Sequence, residues 1–189
     1  MKRLLIVGAG GHGRCVAEAV LASGEFLLAG FLDDAFPELT CVWDIPVQGR
    51  VANFAYWRGV ADFAFVAIGN NVLRQQVTGE LQSAGFSLAT VIHPRAIVSP
   101  TAVIGEGAAI MAGGIVGTEA RLGVGVIVNC AAVVDHHCQV GDFGHLGVGA
   151  VMAGGSVLGT SSWIQAGSSL GYGVMIEAGR VLVPGEAVS

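Results

Sequence analysis

The chain has 189 residues, 53% hydrophobic and 12% charged, about half the usual charged share, so it can bury a core and is not intrinsically disordered. Its 9 Lys+Arg against 14 Asp+Glu give a formal net charge of -5, and Lys2 is the only lysine, so neither a nucleic-acid face nor a polybasic membrane patch is expected. Cys15, Cys41, Cys130 and Cys138 form no CxxC pair, which excludes a zinc ribbon or dithiol redox motif and fits free thiols in the cytoplasm.

In chain order, Lys2 and Arg3 precede an apolar run over residues 4–9 that glycines and His12 end too soon for an export signal. Residues 3–7 read as a buried strand, followed at once by Gly8-Ala9-Gly10-Gly11-His12-Gly13. Residues 14–23 have helical spacing and stop at Gly24. Residues 26–32 form a second strand ending in Asp33-Asp34, and residues 63–68 a third ending in Gly69-Asn70-Asn71. Residues 71–84 are helical in spacing before Gly85, and residues 88–92 read as the last strand of this half. Strands alternating with helices imply a parallel sheet with right-handed crossovers.

The glycine-rich loop sits between a strand and a helix, where backbone amides can hold a phosphate. Asp33 lies about 20 residues on, where a ribose hydroxyl partner is expected. A nucleotide is the reading, with His12 beside it; a tight turn that binds nothing is the alternative.

The second half is a repeat. From Val98, every sixth residue through Leu182 is aliphatic, fifteen positions in all. A period of six fits hexapeptide β-helix repeats, each hexad a short strand and a turn, three to a triangular coil, and so about five coils. Glycine at the corners accounts for the 30 glycines. It also accounts for the stretch from Phe143 to Ile176 without Asp, Glu, Lys or Arg, in which small and polar residues interrupt too often for a membrane span. A three-sided prism with so little charge is expected to bury a face against copies of itself, most simply as a trimer. The domains are expected at 1–87 and 88–189.

Asp135-His136-His137-Cys138 and His145 concentrate histidine in a charge-poor region. Val134 points inward, which sets His136 near a corner and facing out, suited to act as a base near neutral pH. A metal shared between subunits is the alternative, but no third ligand stands at matching spacing, so no metal is expected. Cys138 reads as a small apolar filler rather than a nucleophile.

These features together resemble the NeuD/PglD-type family of sugar O- and N-acyltransferases. The likeness rests on GAGGHG (8–13), FLDD (31–34), IPVQG (45–49), AIGNNVLR (67–74), IHP (92–94) and the run from Asn129 to Gly154, and covers nearly the whole chain. It implies a Rossmann-like domain that holds the nucleotide of a sugar, not NAD, followed by a left-handed parallel β-helix. That β-helix would trimerise and bind acetyl-CoA between neighbouring prisms. Carried over, His136 is the catalytic base, with Asp135 and His137 beside it. His145, Gly154 and Ala166 contact acetyl-CoA, with Gly154 offering an amide to the thioester oxygen. Gly10, Gly11, His12, Gly13, Asp33, Asp34, Gly69 and Asn70 form the nucleotide-sugar pocket.

The implied reaction is direct transfer of acetyl to the amine of a nucleotide-linked sugar of the 4-amino-4,6-dideoxy type, in bacterial glycan biosynthesis. O-acetylation of sialic acid or another sugar is the alternative. There are two departures. The family places Glu after the catalytic His, where this chain has His137, with Asp135 or Asp142 as possible stand-ins. Family members also continue past the last repeat, whereas this sequence stops at Ser189, so weaker coenzyme A binding is an expectation. These departures motivate a non-catalytic trimeric scaffold as a further reading. An NAD-dependent oxidoreductase is disfavoured because the other half is a prism.

Overall fold

The computed structural model describes residues 2–189. They form two compact units divided between Thr90 and Val91.

In the first unit, strand β1 (Lys2–Val7) leads into helix α1 (Gly11–Ser23), and β2 (Phe26–Leu32) follows. Strands β3 (Cys41–Val42) and β4 (Ile45–Gly49) form a hairpin, and a 3-10 helix spans Val51–Trp57. Strand β5 (Phe63–Val66), helix α2 (Asn71–Ser83) and β6 (Ser87–Leu88) complete the unit. The strand order is β3-β4-β2-β1-β5-β6, parallel apart from the β3–β4 pair. Helix α1 buries Val16, Ala19 and Val20, an i, i+3, i+4 stripe, and ends on Gly24 in the left-handed conformation, whose amide donates to Val20 O. Leu5, Val7, Leu32, Val66, Val77, Leu81 and Phe86 make the core. Successive strands leave β1 in opposite directions, to β2 on one side and β5 on the other. Their carboxyl ends therefore border a topological switch point, where open α/β sheets bind ligands.

The second unit is a left-handed parallel β-helix. Two-residue strands stack in three sheets of six, six and five strands. The first sheet runs from Val91–Ile92 to Val181–Leu182, the second from Ile97–Val98 to Ala187–Val188, and the third from Val103–Ile104 to Met175–Ile176. Each strand pairs with the one eighteen residues on, as Ile127 with His145. The repeat extends one strand beyond the fifteen hexads at each end. Residues 88–92 are not one strand: Leu88 pairs with Ala64 in the first unit, whereas Val91 pairs with Ala109 in the second. An unbroken apolar run hides the change of sheet. The second residue of each strand points inward, and Ile110, Val128, Leu146, Ile164 and Leu182 are fully or almost fully buried down the first sheet. A second inward row, two residues earlier, holds small residues, among them Ala132, Cys138, Ala150, Ser156 and Ser162.

Candidate active site

At the switch point, Gly8–Gly13 is held by short contacts. Gly8 N donates to Leu32 O at 2.8 Å. A Cβ on Gly13 would lie 1.9 Å from Gly8 O, so the start of α1 can approach the turn this closely only with glycine there. Gly10 caps α1 with no side-chain bond to its first amides, and space around Gly10 and Gly11 is open. Uncapped amides at a helix start suit an anion. Asp33 has a second employment: its Oδ2 accepts from Ala9 N at 2.7 Å and its Oδ1 from Ala35 N at 2.9 Å, tying the loop to the end of β2. Asp34 Oδ1 accepts from Val51 N at 3.0 Å. Asn70 caps α2, accepting from Leu73 N at 2.9 Å, and Gly69 faces open space.

Arg74 is absent from the expected site residues, though its position belongs to the AIGNNVLR motif. Its buried guanidinium donates from Nη1 to Ile68 O and Gly69 O at 2.9 and 3.2 Å, and from Nη2 to Asn71 Oδ1 at 2.9 Å. Desolvation brings its pKa down to about 10, so it stays charged at neutral pH. Burial, reinforced by the Arg74 charge, lowers the His12 pKa to about 4. His12 is therefore a neutral imidazole at pH 7, and its buried Nε2 has no hydrogen-bond partner among the described residues. The switch point thus offers the charge of Arg74 in the first turn of α2, uncapped amides at the start of α1 and one unsatisfied ring nitrogen, a set suited to a polar ligand such as a nucleotide.

In the second unit, residues 135–138 make the turn between the Val133–Val134 strand of the second sheet and the Gln139–Val140 strand of the third. Val134 is buried and the His136 side chain is 51% exposed, so the ring projects from the corner. His136 Nδ1 lies 3.0 Å from His137 Nδ1, with the rings nearly perpendicular. Asp135 Oδ2 lies 3.7 Å from His136 Nε2. At that range it is a charge facing the ring, not a hydrogen-bond acceptor. Asp142 is committed elsewhere, accepting from Val124 N at 2.8 Å. His137 Nε2 lies 3.1 Å from Glu119 Oε2, a residue the motifs did not single out. The signal was the coil period: 119 and 137 occupy equivalent positions eighteen apart.

Gly154 occupies the turn one coil beyond His136, and a Cβ there would fall 2.4–2.5 Å from the imidazole Cε1 and Nε2. Only glycine leaves the ring its place. Cys138 is buried, its Sγ donating to Ala153 O at 3.1 Å, a filler beneath the corner and not an exposed nucleophile. His145 and Ala166 lie elsewhere. His145 starts the His145–Leu146 strand of the first sheet, buried and stacked on Trp163 at 5.0 Å. Ala166 is exposed in a turn between the first and second sheets. A single chain thus unites Asp135, His136, His137 and Gly154 but sets His145 and Ala166 on other sides of the prism. No group of three or more His, Cys, Asp or Glu residues is placed to hold a metal among the described residues.

A hexapeptide β-helix with a histidine at one corner, preceded by an α/β unit with a glycine-rich loop, defines the class of β-helix acyltransferases. Residues 3–81 match the PglD N-terminal domain. Over 113 residues the chain is 40% identical to UDP-N-acetylbacillosamine N-acetyltransferase of Bacillus subtilis (strain 168), covering 59% of this chain and 52% of that enzyme, so the match spans about half the relative's length. PerB from Caulobacter crescentus, solved in complex with CoA and GDP-perosamine, is 35% identical with a TM-score of 0.87, over 100% of this chain and 92% of that one. The acetyltransferase domain of PglB from Neisseria gonorrhoeae FA1090 is 36% identical with a TM-score of 0.80, over 98% and 93%. The chain belongs to the NeuD/PglD-type family of sugar acyltransferases.

Proposed function

We propose that this chain transfers acetyl from acetyl-CoA to the amine of a nucleotide-linked amino sugar of the 4-amino-4,6-dideoxy type. The observation that carries the reading is the corner at His136: an outward imidazole with Gly154 shaped around it and Asp135 facing its Nε2. The Bacillus subtilis relative is named as a UDP-N-acetylbacillosamine N-acetyltransferase and PerB is solved with CoA and GDP-perosamine, which supports the same substrate class. The switch-point loop is the place for the nucleotide, through the Gly10–Gly13 amides, His12 and the Gly69-Asn70 turn.

In this reading the sugar nitrogen attacks the thioester carbonyl. The C–N bond forms, the C–S bond breaks, and the proton lost by nitrogen passes to His136 Nε2 and then to the departing thiolate. Asp135 stabilises the imidazolium, and the Gly154 amide, which has no hydrogen-bond partner among the described residues, suits the developing oxyanion. Cys138 is buried, so no acyl-enzyme on that residue is involved.

The active form is a homotrimer with sites between subunits. His145 and Ala166 reach the neighbourhood of a His136 only across a boundary between copies. The first four of the six outward positions of the second sheet, Ile97, Ile115, Val133 and Val151, support this as an apolar stripe without charge. No helix among the described residues is long and apolar enough to cross a membrane, and a cytoplasmic site of action fits substrates such as acetyl-CoA and nucleotide sugars.

The test is thiol release from acetyl-CoA with UDP-, GDP- and dTDP-linked 4-amino sugars. Release with one sugar, reduced about 10²–10⁴-fold in His136→Ala, is the expected outcome. Transfer to a sugar hydroxyl but no amine would establish the O-acetyltransferase instead. Nucleotide binding without any transfer would establish the scaffold.

A further inference from the structure

We propose that His137 and Glu119 form a relay that fixes the tautomer and orientation of His136, replacing the carboxylate that the family pattern sets directly after the base. The proposal rests on the reading of His136 as that base. Both are positioning residues, acting through His136 and not on substrate.

With both rings neutral, the chain of contacts allows one proton arrangement. Glu119 ionised only accepts, so His137 Nε2, 3.1 Å from Oε2, carries the hydrogen and donates it. A neutral His137 then has a lone pair on Nδ1. Facing it at 3.0 Å, His136 Nδ1 carries the hydrogen and donates. His136 Nε2 is left with its lone pair outward, beside Gly154, free to take a proton. Run in reverse, the chain would need a carboxylate donor. When Nε2 is protonated, the Glu119 charge acts through His137 and the Asp135 charge acts from 3.7 Å. Among the described residues, these are the two carboxylates paired with the two rings.

The coil register holds the relay in place. Glu119 and His137 sit at equivalent corners one coil apart, and the His137 amide donates to Thr118 O at 2.9 Å. Both have left-handed backbones, φ 57° and 58°, where the next corners in the column carry Gly155 and Gly173 at 72° and 67°. An L side chain is disfavoured in that conformation, yet of these four left-handed positions the two without glycine are the two that meet at Nε2 and Oε2. The side chains are about 60% exposed, so the relay adds little to stability.

Because glycine is native to this column, Glu119→Gly and His137→Gly should leave the fold and Tm unchanged. The first readout is the ring-nitrogen NMR spectrum of ¹⁵N-histidine-labelled protein, above the titration range of an ordinary imidazole. His136 is expected as the Nδ1–H tautomer and His137 as Nε2–H, with the His137 preference lost in Glu119→Gly. An Nε2–H His136, or a His137 indifferent to Glu119→Gly, overturns the relay whether or not the protein transfers acetyl. Absence of transfer by the wild type would count against the proposed function alone.

The second readout is kinetic. Each single variant should lower kcat roughly 10–100-fold with KM for both substrates unchanged, and the double variant should be no worse than His137→Gly. His137→Glu combined with Glu119→Gly returns the carboxylate to the family position and should recover most of kcat. Additive losses, a change confined to KM, or no recovery would overturn the relay.

Discussion

His12 is a histidine whose environment forbids its usual charge. The folded chain holds its pKa at about 4, against 6.5 for an ordinary imidazole. The unfolded chain therefore binds a proton below pH 6.5 that the folded chain refuses. The sign follows: stability is full above that value and falls as the pH drops through the window from 6.5 to 4, by about 3 kcal/mol at most. Urea unfolding of wild type and His12→Gln across this range should show a steeper acid loss in the wild type, and parallel curves would refute the effect. A ligand group that donates to Nε2 would satisfy a nitrogen that is otherwise desolvated for nothing. His12 was legible as unusual because histidine rarely stands inside a glycine-rich loop. Its neutrality was not legible, because that comes first from burial in the folded unit and then from the charge of Arg74, sixty-two residues away in sequence in the first turn of α2. Glu119 was missed for the same kind of reason: its meaning lies in the column it shares with His137, and a motif read along the chain does not cross columns.

At the scale of the element, the unit of construction is a two-residue strand whose first side chain faces out and second faces in. The period of six was visible because every inward position needs an aliphatic residue, whereas nothing comparable marks the first unit's smaller elements. The β3–β4 hairpin is short and includes Pro46, and Val51–Trp57 sets only the partly buried Val51, Phe54 and Trp57 against the core, a spacing of three over too few residues to stand out. Leu146 shows what an inward position is worth. It is fully buried between Val128 and Ile164 in the stack, so Leu146→Ala should cost about 2–5 kcal/mol. Gln139 faces out from its strand and is exposed, and Gln139→Ala should change stability by less than about 0.5 kcal/mol. Thermal unfolding of the two variants measures the contrast, and equal losses would mean the inward row does not carry the stack.

For the whole molecule, the coil closes every eighteen residues, so distance along the sequence in the second half behaves as an angle. Deleting residues 120–125 turns everything after them by one face. His137 leaves the corner above Glu119, and the apolar row of the second sheet breaks between Ile115 and Val133. Deleting residues 157–174 turns nothing and lowers the stack by about 4.8 Å. The longer deletion is expected to preserve the far-ultraviolet spectrum and the assembly state seen by sedimentation, and the shorter one to disrupt both; the opposite ranking would contradict the register. Length in this unit is therefore quantised. The chain can grow or shrink by whole turns without disturbing the corner that holds His136, while a change one third as large dismantles it.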